Sequence, residues 1–308
     1  MKLHKIVIGS RGSQLALWQA NWVKSELERL HNNVNVNIRI IATSGDKIQD
    51  VPLAKIGGKG LFVKEIEEAL LVKEIDIAIH SMKDVPMKLP EELQISVITK
   101  RENPLDALIS KNGEKLDDLP LGSTIGTSSL RRSSQLLKYR GDLKIDALRG
   151  NIDTRLKKLD EGKYGAILLA AAGLNRLGWA NRITEEVSHE ILLPAMGQGA
   201  LGIETRRDDI QIYNFISDLD HARTHFAVNA ERALVGALDG GCQIPIGAYA
   251  TVDGRSIRLR GLVASLDGKT IYKLDKTGAV GGASKIGQEL GAELLKMGAD
   301  YILKNLFQ

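Results

Sequence analysis

The 308-residue sequence has little of several features that particular classes of protein need. Its single cysteine, Cys242, excludes an intramolecular disulfide and a zinc site built from paired cysteines. Aromatic residues make up only 4%, a poor supply of surfaces on which nucleic-acid bases could stack. No run approaches the ~18 consecutive apolar residues of a membrane-spanning helix. The opening residues, MKLHKIVIGS, lack the apolar core of a signal peptide. We therefore expect a cytoplasmic protein without a membrane partner.

The composition that is present is typical of a globular protein with more than one domain. Hydrophobic residues make up 43% and charged residues 26%, which is enough to build a real core. At about 150 residues per domain, the length predicts two or three domains. The 42 basic and 38 acidic side chains give a net charge of +4. This mild positive charge favours small acidic ligands but is too low to indicate nucleic-acid binding by itself.

The first 218 residues alternate between strand-like and helix-like patterns. Apolar runs such as Ile75–Ile79 and Ala166–Ala171 are typical of buried parallel strands, and helical patterns separate them. This alternation predicts two α/β lobes with parallel sheets. The last part differs: a long helix near Ala222–Leu238 precedes three strand-like runs separated by Asp-Gly turns, and Ala283–Asn305 is predicted as a final helix. The predicted fold class is α/β, with a small α+β domain at the C-terminal end.

The two lobes share a local motif that suits an anion. IGSRGSQL at Ile8–Leu15 and IGTSSLRRS at Ile125–Ser133 each combine a strand end, a glycine, hydroxyl residues, arginine and a helix start. In such a turn, free N–H groups and the positive end of the helix dipole can face a ligand. Ser13 and Ser129 could instead be simple helix caps. The repetition of the motif, with arginine each time, favours anion binding.

Several arginines fall where strand-to-helix turns are expected, which is where open α/β sheets bind ligands. A guanidinium group can hold a carboxylate or a phosphate with two parallel hydrogen bonds. Any one of these side chains could merely solvate the surface, but a set at successive turns predicts a ligand with many negative charges. The set comprises Arg11, Arg131, Arg132, Arg149, Arg155 and Arg176.

Two further positions carry chemically distinctive groups. Lys83 and Asp84 come directly after an apolar run that contains His80, which we interpret as a core residue. Asp84 could be a turn residue, but a carboxylate in a cleft lined with arginine could also move protons or stabilise a cation. Cys242 follows two glycines and precedes Pro245, so it lies on a constrained loop suited to a nucleophile or an attachment point. A lone cysteine can also pack as a small hydrophobic residue.

Eight segments resemble, in the same order, the porphobilinogen deaminase (hydroxymethylbilane synthase) family of tetrapyrrole biosynthesis. They are GSRGSQLALWQA, PLAKIGGKGLF, IDIAIHSMKDVP, GTSSLRRSSQL, LRGNIDTRL, AAAGLNRLG, PAMGQGALGIE and ERALVGALDGGCQIPIGAYA. The resemblance covers essentially the whole chain. It implies two lobes like those of periplasmic binding proteins, hinged by two crossovers, and a cysteine-bearing third domain. The implied boundaries are 1–99 with 200–219 for the first lobe, 100–199 for the second and 220–308 for the third.

The resemblance also implies an activity and a cofactor. Such a transferase adds four porphobilinogen molecules in turn to a dipyrromethane primer, losing one ammonia at each addition, and then releases hydroxymethylbilane by hydrolysis. The primer would be held by a thioether bond to Cys242, and Asp84 would be the catalytic group. The partners would be porphobilinogen and the growing oligopyrrole chain, with no metal and no nucleic acid, and the enzyme would be a monomer.

Binding roles follow from the same resemblance, residue by residue. The cofactor would be bound by Lys83, Ser129, Arg131, Arg132 and Arg155. The substrate would be bound by Arg11, Ser13, Thr127, Arg149, Arg155, Arg176 and Gln198. Lys55, Lys59 and Phe62 would belong to a mobile lid.

Two other classes of function stay open. A pair of α/β lobes would also suit a solute-binding protein for an anion, which would return its ligand unchanged, so ammonia release from porphobilinogen separates the two. A nucleic-acid binder could use the LRRSSQ segment at Leu130–Gln135, but the few aromatics and the low net charge argue against it.

Overall fold

The computed structural model describes residues 5–47, 63–240 and 244–306. The chain divides into two units, Met1–Arg101 with Ala200–His225, and Glu102–Gly199 with Phe226–Gln308. The second unit therefore contains both the second predicted lobe and the C-terminal segment. The finer division into three domains stays a prediction.

Strands and helices alternate through most of the described residues. The strands are β1 (Lys5–Ser10), β2 (Asn35–Ile40), β3 (Ile77–Ser81), β4 (Leu93–Ile98), β5 (Asp106–Ser110), β6 (Thr124–Gly126), β7 (Lys144–Asp146), β8 (Ala166–Ala170), β9 (Glu185–Val187), β10 (Leu201–Arg206), β11 (Ile246–Asp253), β12 (Ser256–Ala264) and β13 (Ile271–Ala279). The helices are α1 (Gln14–Leu30), α2 (Ser44–Lys47), α3 (Lys64–Leu71), α4 (Leu130–Tyr139), α5 (Ile152–Asp160), α6 (Ala171–Arg176), α7 (Ile210–Ile216), α8 (Ala222–Ala237), α9 (Ala283–Leu294) and α10 (Asp300–Lys304).

The first unit is built on a five-stranded sheet with the order β2-β1-β3-β10-β4. Strands β2, β1 and β3 are parallel, whereas β10 enters between β3 and β4 and is antiparallel to both. Helix α1 places Ala20, Val23 and Leu27 on one face because they are spaced by three and four residues. These side chains pack with Ile8 of β1 and Ile212 of α7 and form one core. Helix α3 belongs to a second core in the same unit.

The sheet of the second unit repeats this arrangement, with the order β7-β6-β8-β5-β9. Strands β7, β6 and β8 are parallel, and β5 is antiparallel to its neighbours β8 and β9. Leu136 of α4 and Leu156 of α5 belong to two separate cores of this unit. The prediction of parallel sheets is confirmed for three strands of each sheet and is wrong for β10 and β5, which are antiparallel to their neighbours. Each sheet contains an antiparallel strand that local patterns do not predict.

The C-terminal segment of the second unit forms an antiparallel sheet, β11-β12-β13, with α9 packed against it. The two predicted Asp-Gly turns join these strands, with positive φ angles at Gly254 and Gly268. Helices α8 and α9 approach closely at Gly287, where a Cβ atom would lie 2.3 Å from the carbonyl oxygen of Ala230. The prediction of one continuous final helix is wrong, because Gly298 has a φ of 112° and interrupts it.

In the described part of the chain, no helix combines the length and the apolar character that crossing a membrane requires.

Candidate active site

Two loops of the first unit leave from one edge of its sheet. Strands β1 and β3 are parallel neighbours, so the loops that follow them leave from the same edge. We call Arg11, Ser13, Lys83 and Asp84 the β1–β3 edge. The Oγ atom of Ser13 accepts a hydrogen bond from the backbone N–H of Ala16 at 3.3 Å and caps α1. The capping interpretation of Ser13 is thus confirmed, whereas its substrate-binding role stays a prediction.

Asp84 lies on a short turn that buried residues anchor from both sides. Residues Met82–Asp84 form a 3₁₀ turn directly after β3. Met82 and Val85 are buried, and the N–H of Met82 donates to the carbonyl of Ala200 at 3.0 Å. Asp84 itself is exposed and Lys83 is half-buried. The turn therefore holds the backbone at Asp84 in place while its carboxylate stays accessible.

The end of β3 is also fixed to α1. The amide Nε2 of Gln19, a buried residue, donates to the Oγ of Ser81 at 3.0 Å. Gln19 lies in the second turn of α1 and Ser81 ends β3, so this hydrogen bond fixes the helix that follows the β1 loop to the strand that precedes Asp84. Nothing in the local sequence pattern predicts this contact.

The second unit has a matching edge, where the loops after β6 and β7 lie side by side. The N–H of Thr127 donates to the carbonyl of Asp146 at 2.9 Å. The Oγ of Ser128 donates to the carbonyl of Leu148 at 3.0 Å and accepts from its N–H at 3.1 Å. Ser129 caps α4, with its Oγ 3.4 Å from the N–H of Arg132. These contacts join the two loops into one surface that contains the N-terminus of a ten-residue helix.

Two of the predicted arginines lie on this surface. Arg149 is half-buried in the loop after β7, and Arg155 lies in the first turn and a half of α5. The Nε of Arg155 donates to the carbonyl of Gly150 at 2.7 Å, which holds the side chain against the loop. Gly150 has a φ of 110°, a conformation that favours glycine. We call Thr127, Ser129, Arg149 and Arg155 the β6–β7 edge.

Arg131 and Arg132 are not in an exposed turn but in the buried first turn of α4. Both pair with Asp106 at the start of β5, at 2.7 Å in each case. Burial alone would raise the pKa of Asp106, but the two guanidinium groups outweigh it and hold this pKa well below its usual range. Sequence reasoning missed Asp106. The available signal was an aspartate at the head of an apolar strand, since a buried carboxylate needs a cationic partner.

Two predicted substrate ligands lie around the crossover at 194–199. Arg176 ends α6, rather than following a strand, and its Nη2 donates to the carbonyl of Gly199 at 2.7 Å. Burial lowers the pKa of Arg176 to about 10, although Glu102 partly offsets the effect. Gln198 is buried, and its Nε2 donates to the carbonyl of Pro104 at 2.7 Å and to Oδ1 of Asp106 at 3.0 Å. The structure thus gives both residues interior contacts, and their substrate contacts stay predictions.

Glu231 of α8 is a second buried carboxylate that sequence reasoning missed. It accepts from the N–H of Gly197 at 2.6 Å and from the N–H of Ala250 at 2.8 Å. It therefore connects the crossover, α8 and the C-terminal sheet of the second unit. Cys242, the predicted cofactor cysteine, follows the end of α8 by five residues and lies outside the described residues. The predicted lid residues Lys55, Lys59 and Phe62 also lie outside them.

The interpretation of His80 as a core residue is confirmed. His80 is buried in β3, and its Nε2 lies 2.9 Å from Oε2 of the buried Glu204 in β10. Glu67 of α3 lies near enough for the charge of Glu204 to act on it. Burial, and to a smaller extent that charge, raise the pKa of Glu67 to about 7, and His80 partly offsets this increase.

Comparison with known proteins identifies the family. The family model described as "Porphobilinogen deaminase, dipyromethane cofactor binding domain" matches residues 6–214, and the "Porphobilinogen deaminase, C-terminal domain" model matches residues 225–296. A porphobilinogen deaminase of Syntrophobacter fumaroxidans is 51% identical over 303 residues, 98% of both chains. One of Geobacter metallireducens is 54% identical over 301 residues, 98% of this chain and 94% of its own.

Solved structures of binding proteins are also similar to the chain, at much lower sequence identity. The probable extracellular-binding protein YtmK of an amino-acid ABC transporter from Bacillus subtilis has a TM-score of 0.43 at 13% identity, covering 71% of this chain and 90% of its own. Together, the family models and the relatives cover nearly the whole sequence. The chain belongs to the porphobilinogen deaminase family.

Proposed function

We propose that the chain condenses porphobilinogen into hydroxymethylbilane on a dipyrromethane cofactor, with Asp84 as the catalytic carboxylate. Family membership over both matched domains supports the activity and the cofactor. The single observation that supports the role of Asp84 is its position: exposed, on a turn that Met82 and Val85 anchor in the core. A carboxylate placed in this way combines access to a ligand with a fixed backbone.

The β1–β3 edge supplies the group that can accept a proton. When ammonia leaves the aminomethyl group of porphobilinogen, the remaining carbon becomes cationic and shares this charge with the pyrrole nitrogen. A fixed carboxylate stabilises that developing charge. It can also accept the proton that a pyrrole carbon loses once the new C–C bond has formed. Arginine cannot take this role, because a guanidinium group stays protonated. Asp84 is therefore assigned the charge-stabilising and proton-transfer steps.

The β6–β7 edge supplies donors for acid side chains. Each pyrrole of the cofactor and the substrate bears an acetate and a propionate group, so the ligand is strongly anionic. Arg149, Arg155, Ser129 and the N-terminus of α4 offer hydrogen-bond donors and positive charge on one surface, whereas Thr127 is buried beneath it and its Oγ1 accepts from the N–H of Ser129. The residues present thus fit a dipyrromethane with carboxylate side chains. When bound, the cofactor supplies the pyrrole carbon at which the first substrate molecule is added.

Cys242 is the proposed attachment point of the cofactor. It is the only cysteine of the chain, so a thioether can form at no other residue. In the sequence it follows Gly240 and Gly241 and precedes Pro245, a pattern that suits an attachment point. We also infer that the enzyme acts as a monomer in the cytoplasm, which light scattering and cell fractionation would test.

Intact-mass analysis combined with an ammonia assay tests this function. The purified chain is expected to be heavier than its sequence by a two-pyrrole unit and to release ammonia from porphobilinogen. Cys242→Ser should lack the added mass and the activity, because a serine hydroxyl is a far weaker nucleophile than a thiol.

Ser256→Ala, at an exposed residue of β12 outside the proposed ligand set, is the control variant and should keep the adduct. An active wild-type chain with an unmodified mass would contradict the proposal. Binding of porphobilinogen without ammonia release would instead indicate a solute-binding protein.

A further inference from the structure

The carboxylate of Asp106 pairs with two of the predicted cofactor ligands, Arg131 and Arg132. We propose that Asp106 is a positioning residue, which holds the guanidinium groups of Arg131 and Arg132 in the orientation that binds the acid side chains of the dipyrromethane cofactor. The inference rests on the proposed function, because it concerns the same site. Asp106 itself is fully buried at the start of β5.

Asp106 grips both guanidinium groups through more than one hydrogen bond. Oδ2 accepts from Nη1 of Arg131 at 2.7 Å, and Oδ1 accepts from its Nη2 at 3.1 Å. Oδ1 also accepts from Nε and Nη2 of Arg132, at 2.9 and 2.7 Å. A guanidinium held through two nitrogens cannot rotate about its long axis, so its plane is fixed.

Each guanidinium is held a second time by a backbone carbonyl. Nη1 of Arg131 donates to the carbonyl of Leu193 at 2.8 Å, and Nη1 of Arg132 donates to the carbonyl of Leu168 at 3.0 Å. Each arginine therefore has three nitrogen-to-oxygen contacts within the described residues. The directions of the remaining N–H groups follow from the rigid fork, and an incoming carboxylate would meet them without reorganisation.

The charge of the cluster points to an anionic ligand. Two buried guanidinium groups share one buried carboxylate, so among the described residues this cluster carries one positive charge more than its carboxylate balances. Burying such a charge is costly unless a counter-charge arrives. A single carboxylate of the ligand would balance the cluster. This net charge distinguishes the group from a structural ion pair, in which the two charges cancel.

If Asp106 neutralises positive charge rather than positioning the arginines, the expected effect of Asp106→Asn on cofactor binding is reversed. If Asp106 only reduced the positive charge, then removing its charge would strengthen the attraction for an anion. If it positions the two arginines, then removing its charge frees both side chains and weakens the site. The direction of the effect of Asp106→Asn therefore separates the two roles.

The experiment compares Asp106→Asn, Arg131→Gln and the double variant with the wild type. We expect Asp106→Asn to have a smaller fraction of chains with the two-pyrrole mass, and at least about tenfold lower turnover per loaded chain. Asp209→Asn is the matched control, because Asp209 pairs with the buried Arg206 at 2.8 Å in the first unit. It should lower the melting temperature without changing cofactor loading.

The double variant tests whether Asp106 acts through Arg131. If it does, the combined loss is much smaller than the product of the two single losses, because both changes damage one interaction. Independent, multiplicative losses would overturn the inference. The double variant also serves if Asp106→Asn fails to fold, because it leaves one buried guanidinium fewer without a partner. Positioning then predicts loading and turnover below those of Arg131→Gln, since Arg132 is still released. Values equal to or above those of Arg131→Gln would overturn the inference.

The failures of the two proposals are distinguishable. A wild-type chain without the two-pyrrole mass contradicts the proposed function. A loaded wild type beside an Asp106→Asn variant that loads and turns over normally, with only a lower melting temperature, contradicts this inference alone. Tighter binding or faster loading in Asp106→Asn would assign Asp106 a neutralising role and would also overturn it.

Discussion

Glu67 should make the stability of the first unit depend on pH in a direction that the structure determines. Its pKa is about 7 in the folded chain, because burial and the charge of Glu204 both disfavour the ionised form, against 4.5 for an ordinary glutamate. Between these two values the folded chain holds a proton that the unfolded chain has lost. The free energy of unfolding therefore falls as the pH rises from 4.5 to 7 and is independent of this group above pH 7.

The size of the effect is limited by the partial exposure of Glu67. A fully buried carboxyl with this pKa would cost about 3 kcal/mol of stability at neutral pH. Glu67 is only half-buried, and solvent screens its interaction with Glu204, so we expect about 1 kcal/mol. Glu67→Gln removes the titration, and it should stabilise the protein by about this amount at pH 7.5 and by much less at pH 5.

Thermal and urea unfolding at both pH values would measure this difference. Glu68→Gln is a suitable control, because Glu68 lies on the same helix but is exposed and forms a surface ion pair with Lys64. Its effect on stability should not vary with pH in the same way. Parallel pH profiles for the wild type and Glu67→Gln, or a larger gain at pH 5 than at pH 7.5, would refute the reasoning.

Two further predictions concern the β1–β3 and β6–β7 edges. Asp84→Asn should leave the fold and the cofactor mass intact but lower turnover by at least about 10²-fold, since it removes charge and basicity together. Asp84→Glu keeps the charge and should retain more activity. Near-normal turnover of an Asp84→Asn variant that carries the cofactor would show that Asp84 is only a turn residue. Arg149→Leu and Arg155→Leu should each lower turnover about tenfold or more, because each loses a charge-assisted hydrogen bond to a carboxylate. Steady-state kinetics and melting curves would check this, and unchanged turnover with altered melting would indicate a structural role for these arginines.

Features that depend on neighbouring residues could be predicted from the sequence. The predicted strand Ala166–Ala171 is β8, Ala166–Ala170, and α4 begins one residue after its predicted cap, Ser129. A cap, an apolar period and an Asp-Gly turn all lie within a few residues of chain, so a local pattern is enough to identify them. The same holds for Asp84, whose position after an apolar strand is visible in the sequence.

Features that depend on distant residues could not be predicted in this way. Strand β10 lies between β3 and β4, opposite residues more than a hundred positions earlier in the chain. Sequence neighbours usually pair in sheets, so local patterns give no reason to expect this insertion. The partners of Arg131 and Arg132 were missed for the same reason. The apolar strand that begins with Asp106 shows that this carboxylate needs a cation, but not which one.

The repeated sheet order explains why the two units differ in their proposed tasks. Strands β1 and β3 of the first sheet correspond in position and direction to β6 and β8 of the second. The loop after β3 carries Lys83 and Asp84, whereas β8 runs directly into α6, whose first residues, Ala171–Gly173, are small and buried. The second unit therefore has no carboxylate at the position that corresponds to Asp84. Its arginines and hydroxyls can hold acid groups, and under the proposed function proton transfer belongs to Asp84 of the first unit. Substitutions of Asp84 should therefore lower kcat, whereas substitutions of Arg149 and Arg155 should act through ligand binding.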